Sequence, residues 1–299
     1  MIKKKEIENL EMKISEILTI DRAKISFEVF PPKTTSSFES VREATEKIAA
    51  LCPSYMSVTY GAGGGRSRYT LDIAANIEKK YNLPTLAHLT CVSSTRETVE
   101  AQIYEMTRLG IQNIMALRGD IPDDMKDMKR EYNYAVELVR QIRGYGDEFC
   151  IGGACYPEVH PESGSAEEDI LHLKEKVDAG LDFLTTQMFF DNELYYRFLD
   201  RAQNKGISVP IIPGVMPITA KGQVERAISL SGSYMPPEFL RLVEKYGDDS
   251  SSMKQAGLEY ATKQIASLFD FGVKNVHVYS MNKPDVAEVI LNNLSSYLR

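Results

Sequence analysis

Short apolar runs alternate with amphipathic stretches along almost the whole chain. The apolar runs fall at residues 25–30, 55–59, 85–90, 113–117, 149–155, 183–188, 209–215 and 276–279. Each is short and largely apolar, as expected of strands in a parallel sheet whose two faces are both covered. Between them, apolar residues recur at helical spacing. Val99, Ile103, Met106 and Leu109 predict a helix over 95–109, with Ser94 and Glu97 as a capping box in front of it. Ile170, Leu173 and Val177 predict another, opened by Ser165 and Glu168 and stopped by Gly180. Further helices are predicted at 38–51, 69–81, 132–144, 193–205, 221–230, 249–269 and 284–294, and one more at 6–18 precedes the first strand.

Eight β-then-α units follow one another without a linker rich in Pro, Gly or Ser. They predict an α/β fold, a single (β/α)8 TIM barrel spanning residues 1–299, with 1–20 as an N-terminal helical extension. The seventh unit is elongated, with helices on both sides of Met235-Pro236-Pro237. An open doubly wound sheet is the alternative. It often stops at five or six strands and places its phosphate fingerprint in the first βα turn.

Composition narrows the function classes. With 35 Lys+Arg against 42 Asp+Glu the formal charge is −7, which argues against a dedicated nucleic-acid binder. Hydrophobic residues make up 43% and charged ones 26%, so the chain as a whole does not read as disordered. The start is charged throughout and no apolar run approaches the ~18 residues of a membrane span. Cys52, Cys91, Cys150 and Cys155 contain no CxxC pair and read as reduced thiols of a cytoplasmic protein.

In a barrel of this kind, chemistry sits at the C-terminal strand ends and the loops after them. Polar candidates occupy most of those ends: Glu28, Thr59 and Tyr60, His88, Arg118 to Asp120, Tyr156 to His160, Gln187 and Tyr279. Each has a plainer reading. Glu28 is either a structural carboxylate or, with its charged form disfavoured by apolar surroundings, a general acid of raised pKa. Arg118-Gly119-Asp120 is either an ion-paired turn or an anion-holding rim. The glycine run 61–65 lacks the features of a P-loop and of GxGxxG. Met188-Phe189-Phe190 and Tyr195-Tyr196 read as packing. His88, His160, His172 and His277 have no metal-ligand spacing, and no metal is expected.

The strings SFEVFPPKT (26–34), VTYGAGG (58–64), HLTC (88–91), ALRGDIP (116–122), YPEVHPES (156–163), KVDAGLDFLTTQMFFD (176–191) and IIPGVMP (211–217) together resemble the bacterial methylenetetrahydrofolate reductase family over about residues 20–290. The resemblance implies an FAD-dependent barrel that reduces 5,10-methylenetetrahydrofolate to 5-methyltetrahydrofolate, feeding one-carbon metabolism and methionine synthesis. NADH or NADPH is the implied electron source, sharing one flavin face with folate by a ping-pong scheme; no separate nucleotide domain is then needed. Carried over by position, Glu28 matches the general acid that protonates folate N10. Asp120 matches the aspartate beside flavin and pterin. Thr59, Tyr60, Ala62, His88, Arg118, Gly119, Asp120, Tyr156, His160, Asp169 and Lys176 match flavin-site positions, and Tyr134 and Ala135 match the adenine end. Gln187 and Gln223 match substrate contacts, together with Tyr279 and Lys283. Two positions depart from the pattern: His172 stands where some members have Asn, and Lys283 where some have Arg, which alters the grip on a carboxylate.

The same resemblance implies a homo-oligomer and leaves room for a subunit that takes electrons from a partner protein, docked through helix 6–18 or the acidic surface. A flavin barrel of the proline dehydrogenase type is the enzymatic alternative. A non-catalytic binding barrel would require Glu28, Asp120 and Gln187 to be incidental.

Overall fold

A computed structural model describes residues 12–32, 35–60, 67–121 and 129–298. Its strands are β1 (Lys24–Val29), β2 (Met56–Val58), β3 (Thr85–Thr90), β4 (Asn113–Leu117), β5 (Cys150–Cys155), β6 (Phe183–Thr186), β7 (Ile211–Ile212), β8 (Gly214–Val215) and β9 (Asn275–Tyr279). All pair in parallel, in the spatial order β7-β6-β5-β4-β3-β2-β1-β9-β8. β7 pairs with β6, β8 pairs with β9, and β9 pairs with β1. The two shortest strands are therefore halves of one barrel strand, and the circle closes through them.

The run 209–215 was expected to be one strand. It breaks at Pro213, which has no N–H to give the ladder, although its carbonyl still accepts the His277 N–H at 2.9 Å. The helices are α1 (Ile14–Thr19), α2 (Phe38–Ala49), α3 (Ser67–Tyr81), α4 (Arg96–Leu109), α5 (Ala135–Arg143), α6 (Ala166–Asp178), α7 (Asn192–Asn204), α8 (Gly222–Ser231), α9 (Pro237–Tyr246), α10 (Ser250–Phe271) and α11 (Pro284–Asn293). The architecture is the TIM barrel that the alternating pattern predicts.

Local chemistry explains where the pattern and the structure differ. Thr95, not Ser94, caps α4, its side chain accepting from the Thr98 N–H. Ser165 caps α6 as expected, but Glu168 reaches back to the Gly164 N–H at 2.8 Å, one residue before the cap. α9 had no place of its own among the expected helices. Pro237 at its first position starts it, and Phe239 and Val243 anchor it to Met188, Phe190 and Met253. Met188 and Phe190 thus pack the elongated seventh unit, with Phe190 stacked on Phe239.

Strand parity divides the core. Ile25, Phe27, Val29, Met56, Val58, Ala87, Leu89, Val276 and Val278 join the large cluster between sheet and helices. Residues of the other parity face the barrel interior. At its floor, Leu86, Met115, Cys150, Phe183 and Ile212 pack with Tyr55 and with Ile14, Ile17 and Leu18 of α1. The Ile14 N–H donates to Asn113 Oδ1 at 2.8 Å, which fixes the helix to the start of β4. Each buried aliphatic side chain contributes roughly 1.5–3 kcal/mol. The apolar face of α1 is thus used to plug the barrel rather than to dock a partner; residues 6–11 of the expected helix lie outside the described residues.

One buried carboxyl on the helical layer makes stability depend on pH. Glu78 on α3 accepts from the Thr85 N–H at 3.1 Å and from its hydroxyl at 2.7 Å, and burial pushes its pKa up to about 7. The unfolded value is about 4.3, so the folded state holds this proton more tightly. That stabilisation is complete below about pH 4 and is lost as pH rises through 7. A Glu78→Gln variant keeps an acceptor for Thr85 and does not titrate. It is expected to gain on the parent protein between pH 5 and 8 by on the order of 2–3 kcal/mol, at about 1.4 kcal/mol per tenfold in proton affinity. Urea unfolding of both proteins across that range measures it, and parallel curves would sink the assignment.

Candidate active site

Glu28 lies next to the last residue of β1 and faces into the barrel, its side chain 21% exposed. The register sets it beside Ser57 on β2 and Tyr279 on β9. Ser57 Oγ donates to Glu28 Oε2 at 3.3 Å. His88 Nε2 lies 3.6 Å and His277 Nε2 3.8 Å from the same oxygen. His277 is spanned by two hydroxyls, Ser26 Oγ at 2.8 Å from Nδ1 and Ser57 Oγ at 3.2 Å from Nε2. Because Ser57 donates to the carboxylate, it accepts from Nε2–H. The His277 ring and its two hydroxyl partners thus link the barrel interior to Glu28.

This cluster corrects the expected raised pKa of Glu28. Burial is the largest influence and does push it up. The nearby imidazoles of His277 and His88 and the Ser57 hydroxyl together outweigh burial, and the carboxyl lies below its ordinary value. His88 itself is pushed down to about 4, chiefly by burial, and is neutral at pH 7. Sequence reasoning missed Ser26, Ser57 and His277. The signal was their shared strand parity with Glu28.

The mouth residues form smaller groups. Arg118, just after β4, is gripped at both ends of its guanidinium by Glu162, with both distances 2.6 Å. Its Nε donates to the Gly119 carbonyl at 3.2 Å. Gly119 takes φ +86, and a Cβ there would press on Thr90 and Val92 at 3.2 Å, so the turn requires glycine. Asp120 follows on the exposed rim. Tyr156 packs edge-on against His160 at 4.6 Å, and burial, reinforced by Asp120, pushes its phenol up to about 12. Between them Val159 holds φ 82, a conformation that costs a β-branched residue about 1–3 kcal/mol and is characteristic of functional loops. Glu162 N–H donates to His160 Nδ1, and Ser163 donates to Asp169. Lys176 Nζ donates to the Ala154 carbonyl, and burial pushes its pKa down.

Other expected residues are placed as follows. Thr59 N–H donates to Val29, and the Tyr60 hydroxyl accepts from Gln102 at 2.7 Å on the helical side of β2. Tyr134 caps α5 with a side chain 65% exposed, and Ala135 begins that helix. His172 is 65% exposed on α6, 3.8 Å from Glu168. Ala62 lies outside the described residues. Gln187 follows β6. Tyr279 donates to the Thr186 carbonyl at 2.6 Å. Lys283 Nζ donates to Thr219 Oγ1 at 2.8 Å, and Thr219 in turn holds Gln223, so one residue ties the loops after β8 and β9 together. Among the described residues no group of three or more His, Cys, Asp or Glu could hold a metal ion, and no helix is long and apolar enough to cross a membrane.

Comparison with known proteins agrees with this fold. The family model for methylenetetrahydrofolate reductase matches residues 13–295. The 5,10-methylenetetrahydrofolate reductase of Pectobacterium carotovorum subsp. carotovorum is 35% identical over 275 residues, covering 91% of this chain and 90% of that protein. The Escherichia coli K12 protein of the same name is 35% identical over 270 residues and 90% of each chain. Methylenetetrahydrofolate reductase (NADH) 1 of Arabidopsis thaliana is 33% identical, but the match covers only 50% of that longer protein. Among solved structures, a Clostridium thermocellum protein that binds two copies of 5-methyl-5,6,7,8-tetrahydrofolic acid superposes with TM-score 0.63 at 14% identity, over 96% of this chain and 99% of that one. Dihydropteroate synthase from Xanthomonas albilineans superposes with TM-score 0.54 at 15% identity, over 94% and 93%. At those identities the structural likeness speaks for the fold. The sequence match over nearly the whole chain goes further: this chain belongs to the methylenetetrahydrofolate reductase family.

Proposed function

We propose that the chain is a flavin-dependent reductase of 5,10-methylenetetrahydrofolate, forming 5-methyltetrahydrofolate, with NADH or NADPH and folate visiting one mouth in turn. The observation that carries this reading is Glu28, an inward-facing carboxyl at the C-terminal end of β1 in a barrel of this family, held by a hydroxyl and two imidazoles.

FAD is the cofactor this reading requires, and the donor set suits it. His88 Nε2 is buried with no hydrogen-bond partner. Arg118 and Lys176 would supply cations to bound FAD, with Thr59, Tyr60, Gly119, Tyr156 and His160 on strand ends and loops and Asp169 and His172 on α6 as the further residues that would hold it, and Tyr134 and Ala135 would hold its adenosine end. An incoming diphosphate would share Arg118 with Glu162. When bound, FAD supplies the hydride chemistry, and the protein supplies position and electrostatics. Glu28 holds the proton that folate N10 takes as the methylene bridge opens. A flat ligand over the mouth removes the water that still reaches this carboxyl and so strengthens the influence that raises its pKa. Asp120 places a negative charge beside the cationic iminium of the substrate. Gln187, Gln223 and Lys283 contact the ligand, and Tyr279, whose hydroxyl is committed to Thr186, offers it ring surface.

The purified protein is expected to be yellow, to be bleached by NADH without oxygen, and to recover its colour on addition of methylenetetrahydrofolate. A protein that binds no flavin would overturn the reading. A flavin that methylenetetrahydrofolate reoxidises but NADH does not reduce would move the electron source to a partner protein.

A further inference from the structure

Arg118 and Glu162 meet at the rim as a fixed cation and a movable anion. The main chain of Arg118 is locked, its carbonyl accepting the Cys91 N–H at 3.2 Å and the Val92 N–H at 2.9 Å. Its Nε is tied to the Gly119 carbonyl at 3.2 Å, and its side chain is only 17% exposed. Both terminal nitrogens face Glu162, one to each carboxylate oxygen at 2.6 Å. Glu162 belongs to the loop after β5, and its side chain is 56% exposed. It can therefore swing into water with little change in its solvation, which the guanidinium cannot do. Such a movement leaves the loop in place, because it is the main-chain N–H of Glu162 that donates to His160 Nδ1, at 3.1 Å.

We propose that Glu162 competes with the FAD diphosphate for Arg118 and thereby sets how tightly the protein holds its cofactor. This rests on the reading that the mouth binds FAD. The end of a guanidinium is a flat fork, and carboxylate and phosphate both match it with two parallel bonds. Two anions drawn to one fork also repel each other at close range. Binding the diphosphate therefore weakens an ion pair the protein already has. The cofactor's net gain at Arg118 is the difference between two similar charge-assisted pairs, and so is small. The same arrangement protects the protein when the flavin leaves. Glu162 takes back the fork, and a largely buried cation is never without an anion.

The test measures binding of FAD and of riboflavin to the flavin-free full chain, by the change in flavin fluorescence. Riboflavin carries the same ring system but no phosphate. Glu162→Gln keeps the size of the side chain and removes its charge. It is expected to bind FAD about tenfold more tightly than the native protein, the weight of one charge-assisted pair. Riboflavin affinity should stay within about twofold, since riboflavin makes no claim on Arg118. In an Arg118→Met background the same substitution should alter FAD affinity by less than about twofold, because the contested cation is gone. Without flavin, Glu162→Gln should melt no higher than the native protein, and saturating FAD should raise its midpoint further than the native one. Unchanged or weaker FAD binding by Glu162→Gln, an equal gain for riboflavin, or a gain that persists in the Arg118→Met background would each overturn the proposal alone. If the Arg118→Met protein does not fold, the riboflavin comparison decides. A native protein that binds no FAD would bring down the flavin reading and this inference with it.

Discussion

A Glu28→Gln variant is expected to go on oxidising NADH with an artificial acceptor while its reduction of methylenetetrahydrofolate falls by roughly 10²–10⁴-fold, the usual worth of a general acid. Glutamine is nearly isosteric and can still accept from Ser57, so the geometry around His88 and His277 should survive. What it cannot do is carry the proton that the proposed function assigns to N10. The native pH profile supplies an independent check. Since Glu28 lies below the ordinary carboxylate range in the free protein, a smaller fraction of it is protonated near neutrality, and the folate half-reaction should quicken as pH falls from 8 to 6. The nicotinamide half-reaction has no such need and should respond less. Stopped-flow reduction and reoxidation measure the two steps separately. If both half-reactions survive the substitution, Glu28 is not the acid.

The same residue marks how far the sequence could be read. Its place at a strand end was legible, because β1 and its neighbours alternate and because barrel chemistry gathers at C-terminal ends. Its electrostatics were not. Burial alone predicts a raised pKa, and the opposing groups come from β2, β3 and β9, whose adjacency appears only when the barrel closes. Ser26 and His277 are 251 residues apart in sequence and hydrogen-bonded in space. Closure likewise decided the broken strand at Pro213, where each half serves a different neighbour. Arg118 was legible as a cation at the rim, whereas its grip by Glu162 depends on how the loop after β5 folds back. The amphipathic N-terminus was legible as a helix, but only the floor of the barrel says what its apolar face covers. Periodicity reports which face of an element is apolar; it does not report the partner.

Gly257→Ala tests the largest packing constraint behind the site. Gly257 lies on α10, and a Cβ there would fall on the carbonyl oxygen of Ile218 and within 2.8 Å of its carbon. Both parties are backbone, so no side chain can rotate away. Two effects oppose each other. Alanine is a better helix former than glycine by about 1 kcal/mol. Forcing helix and loop apart in a packed interior, where Ile218 is 1% exposed, costs about 3 kcal/mol or more. The clash should win, leaving a net loss of about 2 kcal/mol and a midpoint lower by roughly 3 °C. The displaced segment begins at Ile218 and runs through Thr219, which holds Gln223 and Lys283. Affinity for 5-methyltetrahydrofolate should therefore weaken more than affinity for NADH. Gly222→Ala is the control, since a Cβ there meets nothing within 4 Å. It should leave stability unchanged or raise it by about 0.5–1 kcal/mol. Thermal unfolding of the two variants beside the native protein decides the matter: if Gly257→Ala melts as high as Gly222→Ala, the close approach of α10 to Ile218 does not constrain the loop.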